Sequence, residues 1–121
     1  MTTPSGLRVF VVEDEELVLM MIETMLEELG CIVTGSAKSV PVALSAVETV
    51  PFDLALLDVN LEGVKVFPVA EAIAEKGLPF IISSGYGREG VPDAFRHVPI
   101  IPKPFRLEEL DEAIRQAFTP A

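Results

Sequence analysis

The chain has 121 residues, half of them hydrophobic, with 9 Lys and Arg against 19 Asp and Glu and a formal net charge of −10. That length and apolar content suit a single domain, residues 1–121, around one core. The acid excess excludes the basic face that direct nucleic-acid binding needs and opposes docking on anionic lipid.

The first apolar run, Val9 to Val12, reads as a buried strand that stops at Glu13-Asp14. Leu17, Met20, Met21, Met25, Leu26 and Leu29 then recur at helical spacing, which predicts a helix over 15–29 with this stripe as its core face. Gly30 suits the C′ position of that helix. Cys31 to Gly35 reads as the second strand; Cys31 is the only cysteine, so no internal disulfide forms and a buried inert thiol is expected. Ser39 caps a second helix with Val42, Ala43, Ala46 and Val47 toward the core. Leu54 to Asp58 is the third strand. Pro68 opens a third helix, Gly77 closes it, and Phe80 to Ser83 is the fourth strand. Gly87, Gly90 and Pro92 leave room for only a short fourth helix, near 92–96. Ile100-Ile101 is a very short fifth strand. The last helix, 107–118, carries Glu108, Glu109, Asp111 and Glu112 early and Arg115 late, in accord with the helix dipole; this acidic cluster reads as a solvated face. No stretch is long enough to span a bilayer, and Met1 to Gly6 lacks the pattern of a signal peptide, so the expected location is cytoplasmic.

Strands that alternate with helices make a parallel sheet, and parallel strands end at one edge. Glu13, Asp14, Asp58, Ser84 and Lys103 are therefore expected to meet in one crevice. Three carboxylates cannot crowd together as bare anions: either one stays protonated or a cation holds them. Mg²⁺ accepts such oxygen ligands, a free carboxylate serves as a phosphoryl-accepting nucleophile, and a lysine neutralises a phosphate oxygen. Each feature alone has an ordinary explanation, since acids favour helix starts and Lys-Pro makes turns. Their joint placement at successive strand ends points to phosphoryl transfer.

At this point the chain resembles the receiver domains of two-component response regulators. The matching pieces are Val-Val-Glu-Asp-Glu (11–15), Leu-Leu-Asp-Val-Asn (56–60), Ile-Ser-Ser-Gly-Tyr-Gly (82–87) and Lys-Pro-Phe (103–105), and the resemblance runs from Arg8 to about Phe118. It implies an α/β fold, an open doubly wound five-stranded parallel sheet of order 2-1-3-4-5 with helices on both faces. It implies Asp58 as phosphoacceptor, Ser84 as switch hydroxyl and Lys103 as the phosphate-contacting lysine. Glu13, Asp14, Asp58 and the backbone carbonyl of Asn60 would hold Mg²⁺, and Lys103-Pro104 would be cis. The implied partner is a histidine kinase or histidine phosphotransfer protein, with a downstream protein reading the surface of helix four, strand five and helix five. Nothing attached after helix five is expected, so this would be a stand-alone receiver, monomeric or dimerising on phosphorylation.

The chain also departs from the family pattern. Ile100 stands where many receivers carry an aromatic residue in strand five, which resembles a subgroup lacking that aromatic; Tyr86 is a candidate to take over part of its role. Leu61-Glu62-Gly63 replaces the usual Leu-Pro-Gly, and Arg106 is a poor residue to start a helix. His97, the lone histidine, lies away from the acids and is expected at the surface. Two rival functions are a phosphorylation-independent pseudo-receiver, against which all five site residues argue, and a small aspartate-nucleophile phosphohydrolase. The latter commonly needs an acid two residues after the nucleophile, where this chain has Asn60, and a cap for which 121 residues leave little room.

Overall fold

A computed structural model of the chain describes residues 5–118. The apolar runs form five strands: β1 (Arg8–Val12), β2 (Ile32–Ala37), β3 (Leu54–Asp58), β4 (Phe80–Ser84) and β5 (Ile100–Pro102). They pair in parallel in the order β2-β1-β3-β4-β5. Four α-helices connect or follow them: α1 (Glu16–Glu28), α2 (Val40–Thr49), α3 (Phe67–Glu75) and α4 (Leu107–Ala117).

Alternation along the strands builds a core on each face. Phe10, Val12, Leu57, Phe80 and Ile82 face α2 and α3. Val9, Val11, Leu56, Ile81 and Ile101 face α1 and α4. This two-sided burial explains why β3 is apolar at every position up to Asp58. At about 25 cal/mol per Å², each fully buried Leu or Ile contributes about 2 kcal/mol, so the central strands anchor the site that follows them.

Local signals place most boundaries where the residues predict them. Ser39 Oγ accepts from the Val42 N–H at the start of α2. Gly30 and Gly77 both adopt positive φ. In each case the next residue's N–H reaches back into the helix, Cys31 to Leu26 O and Leu78 to Ile73 O, as in a Schellman ending. Arg106 serves as the N-cap of α4 because Glu109 Oε1 accepts from the Arg106 N–H at 2.8 Å, so the capping group comes from the third helical residue. Cys31 is buried, and burial followed by the nearby charge of Asp111 pushes its thiol up to about 11.

Three expectations are corrected. First, the core face of α1 is Leu19, Ile22 and Leu26, while Leu17 is 76% exposed and Met20 and Met21 are more than half exposed. Residues 17–22 are all apolar, so two stripes satisfy helical spacing, and contact with the sheet selects one. Second, Val42 on α2 is exposed, leaving Ala43 and Val47 as the buried pair. Third, the short helix expected near 92–96 stands there as a 3₁₀ turn, Asp93–Phe95, preceded by a second, Gly87–Gly90, and no α-helix lies between β4 and β5 among the described residues. Two glycines and Pro92 deny that segment a continuous helical ladder. β2 also runs two residues beyond Gly35, to Ala37. His97 is exposed, as expected.

After β3 the chain makes a two-residue antiparallel pairing, Asn60–Leu61 with Val64–Lys65. Its turn residues Glu62 and Gly63 have φ of 53° and 84°. Two successive positive φ values define a turn that proline cannot make. The Glu62 N–H also donates to Asp14 Oδ2 at 2.9 Å, which proline could not do. Leu-Glu-Gly in place of Leu-Pro-Gly thus changes the turn and ties it to the acidic residues.

Candidate functional site

Because the strands are parallel, the residues that follow β1, β3, β4 and β5 emerge at one edge of the sheet. Backbone bonds tie each exit to its neighbour: Glu13 N–H to Ala37 O, Val59 N–H to Ser83 O, and Lys103 N–H to Ser84 O. The carboxylates of Glu13, Asp14 and Asp58 offer oxygens that all lie within 4.8 Å of one another. Lys103 Nζ bridges two of them, donating to Glu13 Oε1 at 3.1 Å and Asp58 Oδ2 at 3.2 Å. Glu13 Oε2 accepts from the Glu15 N–H at 3.0 Å, which also steers the chain into α1. Lys103-Pro104 is cis. An open cleft of about 440 Å³ is lined by Asp14, Asp58, Asn60, Lys65, Ser84 and Lys103, among others.

Burial sets the electrostatics. Glu13 is 1% exposed, and burial raises its pKa despite opposing bonds from Glu15 N–H and Lys103. Asp58 is raised for the same reason, against Lys103 and the Asn60 backbone, with the charge of Asp14 adding to the rise. Burial alone would lower the Lys103 pKa, but its bond to Glu13 and the charge of Asp58 outweigh burial and raise it. With all groups ionised, three carboxylates face one ammonium, which leaves excess negative charge in a half-enclosed space. An all-oxygen donor set with excess negative charge fits a hard divalent cation such as Mg²⁺.

The structure brings Glu13, Asp14, Asp58 and Lys103 into mutual reach. Asn60 and Ser84 line the same cleft. Ser84 is 1% exposed, and its Oγ accepts from the Tyr86 N–H at 3.1 Å. The Tyr86 side chain itself is 82% exposed, so in this state its ring does not fill the space of a missing strand-five aromatic. Lys65, which is not among the residues expected in the crevice, is brought back to the cleft by the turn at Glu62-Gly63. The residue before a glycine between two short apolar pieces was the available signal for that turn. His97 lines a separate cleft with Pro79 and Gln116, one that none of the three acids lines.

Fold and site together define a doubly wound α/β protein with an acid-and-lysine pocket at the carboxyl edge of its sheet. The family model of the response regulator receiver domain matches residues 9–115, and the chain belongs to that family. It is similar to SdrG from Sphingomonas melonis Fr1, with 37% identity over 98% of this chain and 100% of that one, at a TM-score of 0.84. The BeF3-activated conformation of SdrG from Pseudomonas melonis Fr1 matches with 36% identity over the same shares, at a TM-score of 0.81. The response regulator PhyR from Brucella abortus is 28% identical over 95% of this chain and 49% of that one, at a TM-score of 0.82. The chain therefore spans about half the length of PhyR. Comparison with curated proteins finds no significant match. No helix among the described residues is long and apolar enough to cross a membrane.

Proposed function

We propose that the protein is a phosphorylatable signalling receiver of the cytoplasm, with Asp58 as phosphoacceptor. The observation that carries this reading is the bridge from Lys103 to Glu13 and Asp58 inside a cluster of three carboxylates. The donor is a phosphohistidine on a histidine kinase or phosphotransfer protein. A carboxylate oxygen of Asp58 forms a bond to phosphorus, the P–N bond of the donor breaks, and the imidazole keeps the electron pair and takes a proton. Lys103, 3.2 Å from Asp58 Oδ2, orients the carboxylate for that attack. Lys103 then neutralises a phosphoryl oxygen, and Ser84 donates its hydroxyl proton to another.

Mg²⁺, when bound, offsets charge on the phosphoryl group. Asp14 and Asp58 would each offer it a carboxylate oxygen. Both oxygens of Glu13 already accept hydrogen bonds, so its part is mainly to hold Lys103 and add negative charge. The Asn60 backbone carbonyl completes the proposed ligand set. The helix-four part of the expected output surface is replaced by the two 3₁₀ turns, which with β5 and α4 form the proposed readout face.

The exposed face of α1 supports a protein donor. Met21 and Met25 line a cleft of about 290 Å³ together with Lys103, Pro104 and Phe105, and the same two methionines line a second cleft with Leu17 and Met20. Lys103 also lines the acidic cleft, so the two surfaces are continuous. An apolar face on the helical element that carries the phosphohistidine fits this position. Acetyl phosphate or phosphoramidate with Mg²⁺ should add one phosphoryl mass to the protein, and Asp58→Asn or a chelator should prevent it. Met21→Asp should slow transfer from a phosphohistidine protein and leave labelling by phosphoramidate unchanged. Phosphoryl mass persisting on Asp58→Asn at a cleft residue would refute the assignment, and no labelling of the wild type would favour a phosphorylation-independent module.

A further inference from the structure

Two glycines of the first 3₁₀ turn are there for different reasons. Gly87 has φ of 59°, a left-handed backbone that favours glycine. Gly90 is not among the positive-φ residues, so its backbone is open to other residue types. What it lacks is room. A β-carbon on Gly90 would lie 2.5 Å from Ser84 Oγ and 3.3 Å from Tyr86 Cβ, but 3.8 Å from Ser84 Cβ. The sharp conflict is therefore with the hydroxyl oxygen alone.

That oxygen is parked against this turn. It is buried, and it accepts from the Tyr86 N–H at 3.1 Å. The Tyr86 residue is also the N-cap of the turn that ends at Gly90. A hydroxyl that swings toward a phosphoryl group on Asp58 must leave both contacts. It frees the Tyr86 amide and vacates the space over Gly90. No aromatic residue is available in β5 for this task, since Ile100 stands there, half-buried against the α2–α3 side of the core.

We propose that Gly90 is the positioning residue of the Ser84 hydroxyl: its missing side chain makes room for the resting position, and the turn responds when the hydroxyl leaves. The turn is thus the element that senses the state of the site, through one oxygen atom. This rests on Asp58 being the phosphoacceptor, but the contact itself is testable without any phosphoryl group.

A β-carbon at position 90 removes the resting position and leaves the forward one. Gly90→Ala should therefore bind beryllofluoride with Mg²⁺ more tightly than wild type, by about three- to tenfold, because the competent state no longer competes with the parked one. Its Tyr86 amide should exchange faster in the absence of ligand, since its acceptor has gone. Both effects should vanish when Gly90→Ala is placed in a Ser84→Ala background, where no oxygen is present to be displaced. Thermal unfolding of the four proteins gives a second measure: Gly90→Ala should lower Tm in the wild-type background and not in the Ser84→Ala one. Equal Tm losses in both backgrounds, or failure of both Gly90→Ala proteins to fold, would overturn the proposal by placing the conflict at Tyr86 or the backbone. Unchanged or weaker beryllofluoride binding by a folded Gly90→Ala protein would overturn it as well. If wild type itself fails to bind beryllofluoride, the phosphoacceptor reading falls, while amide exchange and Tm coupling still decide the role of Gly90.

Discussion

Lys103→Met removes the cation paired to Glu13 and Asp58 while keeping an unbranched stem. At separations of 3.1 and 3.2 Å, each ion pair attracts by about 5 kcal/mol at an effective dielectric constant of about 20. Much of that offsets desolvation, and the lysine side chain remains 22% exposed, so the net loss on breaking the pairs is about 2–3 kcal/mol. For a chain of this size that is a fall in Tm of about 10 °C. The loss must depend on pH. Glu13 and Asp58 already have raised folded-state pKa values, with burial the main cause, and losing Lys103 raises them further. A carboxylate with a raised folded pKa destabilises the fold as pH climbs through that value and costs nothing below the unfolded pKa. Denaturant unfolding should therefore show the full deficit at about pH 8 and a smaller one at about pH 5, where protons replace the ammonium. Mg²⁺ should restore more stability to the variant than it adds to wild type, because the pocket gains one net negative charge. A deficit that is equal at both pH values and indifferent to Mg²⁺ would refute the reasoning, and would assign Lys103 to packing of its stem.

Three further outcomes follow from the packing. Ile22→Ala should cost about 2–5 kcal/mol in urea unfolding, whereas Leu17→Ala should stay within about 0.5 kcal/mol; a greater cost at Leu17 than at Ile22 would mean that α1 buries the other stripe. Cys31, buried and with its thiol at about 11, should react with iodoacetamide at neutral pH only as fast as the protein opens, so its rate should rise with urea; rapid alkylation of the native protein would contradict that burial. Glu109→Ala removes the acceptor of the Arg106 N–H and should cost about 0.5–1 kcal/mol, with faster amide exchange confined to the first turn of α4; unchanged exchange there would show that the cap contributes nothing.

The sheet and the residues at its carboxyl edge are legible in the amino-acid order alone. Short apolar runs that end in Glu13-Asp14, Asp58, Ser84 and Lys103 have few other arrangements once helices separate them, because parallel strands must all finish on one side. Helix ends were legible for a local reason: Ser39, Gly30 and Gly77 act through bonds that span three to five positions. The faces of α1 and α2 were not legible. Where six successive residues are apolar, periodicity admits more than one stripe, and only the position of the sheet chooses Ile22 over Met21. The capping of Arg106 by Glu109 was within reach of the sequence, because the acceptor stands at the third helical position. The bond from Glu62 to Asp14 was not, because it joins residues 48 positions apart. Nor was the contact of Gly90 with Ser84, since a glycine needed for space looks in sequence like one needed for its backbone. Tertiary structure alone distinguishes them, because it alone says which atom the absent side chain would have met.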